Sequence, residues 1–143
     1  ELWSAHERCR QTLVHYVRQM VKRNIQYMGD GSFNNNPNHN VLRPDVLTIG
    51  FARRFATYKR GTLLLRDKNR LLALLKNPER PIQLIFAGKA HPADQGGKQL
   101  IKDLIEFAQR EKIQDKLLFL ENYVIKFYYS LFLLYCQEIG RFN

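Results

Sequence analysis

The sequence reads as an α/β protein built on a parallel sheet. Three short apolar runs, Val46–Phe51, Ile82–Ala87 and Lys116–Leu120, have the look of buried strands, and helical patterns fill the two intervals between them. Strand, helix, strand, helix, strand is the order a parallel sheet requires, because parallel neighbours are joined by crossovers.

Each element has its own signal. Residues 2–28 predict one long helix: Leu13, Val17, Met20 and Val21 recur at three- and four-residue steps, with Arg8, Arg10, Arg18, Lys22 and Arg23 mostly on the other side. Gly29-Asp30-Gly31 stops it. Residues 29–44 predict a flexible loop, since Asn34, Asn35, Asn36, Pro37, Asn38 and Asn40 favour turns. After the first strand, residues 57–77 predict a helix with Leu63, Leu64, Leu71, Leu74 and Leu75 on its apolar side, a break possible near Asp67, and a stop at Asn77-Pro78. After the second strand comes a loop over residues 88–97. Residues 98–112 then predict an amphipathic helix with Leu100, Ile101, Leu104, Ile105, Phe107 and Ala108 inward. Residues 45–123 thus form the predicted domain, a Rossmann-like sheet with flanking helices.

Composition bounds the function classes. The chain has 143 residues, 45% hydrophobic and 25% charged, which is globular composition. Its formal charge of +10 favours anionic partners of any kind. Cys9 and Cys136 are too few and too far apart for a disulfide framework or a zinc site, and a reducing, cytoplasmic setting is the expectation. His6, His15 and His39 are scattered and read as surface or loop residues. No metal site is predicted. No run reaches the roughly 20 apolar residues that a bilayer-spanning helix needs.

In a parallel sheet, ligands bind beyond the carboxyl ends of the strands. That rule selects Arg53 and Arg54 after the first strand, Lys89 and His91 after the second, and Tyr123 after the third. The segment 51–60, FARRFATYKR, is the most loaded: Arg53, Arg54, Lys59 and Arg60 place four cations within eight positions. Arginine offers a planar fork to phosphate oxygens and lysine a point charge. Lys59 and Arg60 are expected to open a helix, where cations oppose the helix dipole unless an anion compensates. Charge alone fits a solvated basic surface or nucleic-acid backbone contact as well. Lys89 and His91 either line the same cleft as Arg54 or belong to a turn stabilised by Pro92 and Asp94.

The string GFARRFATYKRGTLL, residues 50–64, resembles the phosphate-binding segment of α-glucan phosphorylases, the glycogen and maltodextrin phosphorylases, and is closest to their bacterial-type branch. The resemblance extends through residues 83–94 (QLIFAGKAHPAD) and 119–123 (FLENY), with residues 43–50 (RPDVLTIG) upstream. It implies that Arg54 and Lys59 bind the substrate phosphate, and that Arg53 and Tyr123 lie beside the cofactor, pyridoxal 5'-phosphate. Tyr58 is expected to pack. The implied reaction is retaining phosphorolysis of a terminal α-1,4-glucosidic bond, which makes the family glycosyltransferases acting on glucan and inorganic phosphate to give glucose 1-phosphate. The implied fold is the C-terminal domain of a two-domain GT-B architecture, in an enzyme that is often a homodimer.

The residues also mark where the resemblance stops. Nothing here matches the downstream segment whose lysine forms the cofactor's Schiff base, and nothing matches the N-terminal domain. The chain is therefore expected to be a fragment, inactive by itself. After Tyr123 the match breaks, and residues 124–143 carry Phe127, Tyr128, Tyr129, Phe132, Tyr135 and Phe142; this tail reads as out-of-frame or otherwise aberrant sequence, the alternative being a genuine buried terminal helix. The alternatives are a nucleotide-sugar glycosyltransferase fragment of GT-B architecture and a basic nucleic-acid-binding α/β domain. The first lacks its usual motif context, and the second lacks a helix-turn-helix, zinc-finger or RNA-binding strand pattern. Neither a nucleic acid nor a membrane is the expected partner.

Overall fold

A computed structural model describes residues 2–28 and 41–120 of the chain. The expectations for the Asn-rich loop up to residue 40, for Tyr123, for Cys136 and for the aromatic tail lie outside the described residues. Helix α1 spans Leu2–Met28, followed by β1 (Leu47–Ala52), α2 (Lys68–Leu75), β2 (Ile82–Ala87), α3 (Gln95–Arg110) and β3 (Leu117–Leu120). The three strands form one parallel sheet in the order β1-β2-β3.

Side-chain alternation along the strands builds two cores. Leu84 and Phe86 of β2 point to one face, where Leu71 and Leu75 of α2 and Leu104, Phe107 and Ala108 of α3 cover them. Ile85 and Ala87 point to the other, where Leu13, Val14 and Val17 of α1 pack with Leu118 and Leu120 of β3. Each fully buried Leu or Val contributes about 1.5–3 kcal/mol by leaving water. Helix α1 is also fastened by polar contacts. Arg18 donates from Nε to the Val41 carbonyl at 2.9 Å and from an Nη to the Leu42 carbonyl at 2.6 Å. That pins the helix to the chain entering β1.

The amino end of the sheet is closed by Gln83, the one polar side chain buried in the core among the described residues. Its Nε2 donates to the Arg43 carbonyl and to Thr48 Oγ1, each at 2.7 Å, and its Oε1 accepts the Arg43 amide at 2.8 Å. Outside this knot, Arg43 pairs with Asp45.

Several expectations change. The helix expected over residues 57–77 is three pieces: 3₁₀ turns at Thr57–Lys59 and Leu63–Arg66, then α2. Arg60 breaks the run by taking a left-handed backbone, φ 52°. Asp67 starts α2 by accepting the Arg70 amide at 3.0 Å. Lys59 and Arg60 therefore close a short turn; they do not open an α-helix, and the helix-dipole argument for them falls. Leu63, Leu64 and Leu74 are exposed, because the turns and the short α2 present only Leu71 and Leu75 fully to the core. Ile105 is likewise exposed on α3. Strand β1, expected to be buried, lies at the sheet edge among the described residues, with Leu47 60% and Ile49 44% exposed.

Candidate anion site

The site is built where β1 runs past its last regular residue. Arg53 donates its amide to the Ala87 carbonyl at 3.1 Å, and Phe55 donates its amide to the Lys89 carbonyl at 3.0 Å. An isolated parallel bridge joins Phe55 to Ala90. The offset relating Ala52 to Ala87 thus carries on to Phe55 and Ala90, which sets Arg53 beside Gly88 and Arg54 beside Lys89. Arg54 and Lys89 thus occupy aligned positions on adjacent chain segments at the carboxyl end of the sheet.

Phe55 makes this extension possible. Its ring is buried, edge-on to Phe51 and to Phe119 at 5.5 Å between centroids, and tilted against Phe86. Gly61 leaves room for the Phe51 and Phe55 rings, which a Cβ there would meet at 3.2–3.4 Å. The apolar residues of FARRFATYKRG are thus spent on anchoring, while Arg53, Arg54 and Arg60 are exposed and Lys59 is half-buried. Lys59 is held in the Thr57–Lys59 turn, its amide donating to the Ala56 carbonyl at 3.0 Å. Its Nζ stands 5.6 Å from the Tyr58 ring centroid. Tyr58 itself is 78% exposed, so the expectation that it packs is wrong: Phe55 fills the core position and Tyr58 faces outward beside the cations.

Among the described residues the ion pairs are Arg10–Glu7, Arg43–Asp45, Lys102–Glu106 and Arg110–Glu111. None involves Arg53, Arg54, Lys59, Arg60 or Lys89. Cations held at one end of a sheet with no carboxylate in ion-pair reach among the described residues repel one another, and an anion arriving there relieves the repulsion.

His91 takes a more structural part. Its Nδ1 accepts the Ala93 amide at 3.1 Å and its carbonyl accepts the Asp94 amide at 2.9 Å. Asp94 in turn accepts the Gly97 amide at 2.8 Å and starts α3. This is the turn reading for His91; Lys89 remains exposed beside Arg54. Two features escaped the sequence reading. Gln83 was signalled by a polar residue inside an apolar run. Gly97 carried no local signal, because its neighbour is Phe55, more than forty positions away.

The fold and the cluster together define a class: a parallel α/β protein with a cationic face at the carboxyl ends of its strands. Sequence comparison places it further. The chain is 45% identical over 122 residues to glycogen phosphorylase of Mycobacterium tuberculosis, covering 85% of this chain and 14% of that protein. It is 39% identical over 129 residues to maltodextrin phosphorylase of Thermococcus litoralis, covering 86% of this chain and 14% of the relative. To glycogen phosphorylase of Aquifex aeolicus it is 38% identical over 131 residues, covering 86% and 18%. No protein-family model matches the chain. Over the matched residues the chain is similar to glycogen and maltodextrin phosphorylases, and it spans about 14% of the length of these first relatives.

Proposed function

We propose that the chain is the substrate-phosphate segment of an α-glucan phosphorylase, within the C-terminal half of a GT-B architecture. The observation that carries this reading is the row of cations without carboxylate partners among the described residues, set at the strand ends by Phe55 and the β1 extension. Arg54 and Lys59 hold inorganic phosphate and spread its charge while the glycosidic bond breaks. Charge stabilisation by fixed cations is the protein's contribution, and no side-chain nucleophile is required. Lys89, beside Arg54, adds to the same field.

Pyridoxal phosphate suits the same face. Arg53 is exposed there with no acidic neighbour in ion-pair reach among the described residues, which fits a second phosphate group. When bound, the cofactor supplies a phosphate that exchanges a proton with inorganic phosphate. Arg53 keeps that group oriented, and Tyr123 is assigned beside it. Glucan and glucose 1-phosphate are the partners of the whole enzyme, which works in the cytoplasm and as a homodimer. The described helices include none long and apolar enough to cross a membrane.

The test is phosphorolysis by a full-length phosphorylase carrying this segment. Arg54→Ala and Lys59→Ala should each raise the KM for phosphate and lower kcat, while leaving glycogen binding intact. Unchanged phosphate kinetics would reject the reading. The 143-residue chain alone should release no glucose 1-phosphate from glycogen; robust release would show that the chain is self-sufficient.

A further inference from the structure

Two glycines outside the basic segment press directly on its backbone. A Cβ built on Gly88 would stand 2.1 Å from the Arg53 carbonyl oxygen and 3.1 Å from its carbon. One built on Gly97 would stand 2.6 Å from the Phe55 carbonyl oxygen. Neither glycine has a left-handed φ, so each position requires space and not an unusual backbone. The nearest obstructing atom at each is a main-chain carbonyl oxygen that cannot rotate away; at Gly97 the Asp94 carboxylate at 2.9 Å and the Ala90 Cβ at 3.1 Å crowd the position as well.

The placement of these contacts matters. The Arg53 carbonyl belongs to the peptide bond that leads into Arg54. The Phe55 carbonyl belongs to the peptide that leads into Ala56, whose own carbonyl accepts the Lys59 amide. Between the two contacts the Phe55 ring is locked in the aromatic cluster. Gly88 is itself held by donating to the Leu120 carbonyl at 3.1 Å. Gly97 is held in the first turn of α3 by the Asp94 cap. The basic segment thus rests on β2 at one point and on α3 at another, with Arg54 between them.

We propose that Gly88 and Gly97 are positioning residues for phosphate: they set where Arg54 and Lys59 stand by letting β2 and α3 touch the backbone of the segment. The proposal rests on the phosphate reading above. It makes a glycine of α3, which carries no charge to offer, a determinant of anion affinity. Gly96 is the internal control. A Cβ there meets only side-chain atoms, Thr57 Cγ2 at 3.1 Å and Asp94 Oδ1 at 3.4 Å, which can move aside. Replacing either helical glycine by Ala brings a similar gain in helix propensity, so the difference between the two variants reports the crowding at Gly97, in which the Phe55 carbonyl is the tightest contact.

The experiment is a titration of the full chain with inorganic phosphate, followed by phosphorus NMR, for the native chain and for Gly97→Ala, Gly88→Ala, Gly96→Ala, Arg54→Ala and Lys59→Ala. Hydrogen exchange at the Leu84 amide, which donates to the Lys116 carbonyl at 2.7 Å, reports on the sheet. Gly97→Ala and Gly88→Ala should weaken phosphate binding by about tenfold, the size of losing about one charge-assisted contact. Gly96→Ala should stay near native, and Leu84 should stay protected in all of them. If Arg54→Ala and Lys59→Ala leave binding unchanged, the phosphate reading itself fails. If they weaken it and the two glycine variants do not, only the present inference is overturned. It is also overturned if Gly97→Ala and Gly88→Ala lose affinity together with Leu84 protection, since the glycines then serve the fold as a whole.

Discussion

The two ends of the sheet handle their basic residues differently. At the amino end, Arg43 is fully engaged: its amide and carbonyl are tied to Gln83, and its guanidinium lies on Asp45, with Nε 3.1 Å from Oδ1. At the carboxyl end, the Arg53 amide is bonded to the Ala87 carbonyl and the Lys89 carbonyl to the Phe55 amide, yet the side chains of Arg53, Arg54 and Lys89 meet no carboxylate in ion-pair reach among the described residues. One end uses charge to close the structure. The other holds charge in place and leaves it available. Rigid backbone combined with uncommitted cations distinguishes a candidate binding face from a basic surface.

Breaking the anchor of the available end should have the largest effect. Phe55→Ala empties a site packed by three other phenylalanines and should cost about 3–5 kcal/mol, read as a drop in the urea midpoint; it should also release the Arg53–Ala56 backbone. A loss below the range of a surface substitution would mean that the aromatic cluster does not hold the segment.

The closed end offers the next test. Gln83→Leu keeps the volume roughly constant but strands the Arg43 amide, while the Arg43 carbonyl keeps the Val46 amide at 3.3 Å; the cost should be about 1–3 kcal/mol. Chemical denaturation should show this loss with phosphate affinity near native, because the damage lies at the opposite end of the strands. Equal damage to both would argue that the ends are not independent.

The smallest effect concerns Asp45. The hydrogen bond from the Arg43 guanidinium, then that from its own backbone, holds the Asp45 carboxyl below the usual carboxylate range. A depressed folded-state pKa means that this pairing stabilises the fold above the ordinary carboxylate range and is lost as pH falls through the depressed value. The pair is fully exposed, so the contribution is screened. Arg43→Gln should move the Asp45 titration, followed by NMR, back up toward the ordinary range; an unmoved midpoint would remove Arg43 as the cause.

Much of this was legible in the sequence, for reasons that differ by element. The strands at Ile82–Ala87 and Leu117–Leu120 declare themselves through apolar runs, broken in the first only by Gln83, since each is covered on both faces. The cations of FARRFATYKR stand out because they crowd a strand end. The segment after them misled, because leucine spacing suggested one helix where the left-handed Arg60 and the Asp67 cap divide it. Tyr58 misled for a related reason: Phe55 or Tyr58 could have filled the core position, and only the register with β2 selects Phe55. The fit of Gly97 under the Phe55 carbonyl is a contact between distant positions, invisible until the crossover is folded.

The central claim is that the carboxyl-end cations form a site for phosphate and not merely a basic surface. Titrating the chain with inorganic phosphate against a fixed chloride background tests it most directly, with Arg54→Ala run in parallel. The account predicts saturable binding that is weakened about tenfold by losing one charge-assisted contact, with stability changed by less than about 0.5 kcal/mol. Binding that never saturates, or that is indifferent to Arg54 and follows ionic strength alone, would contradict it.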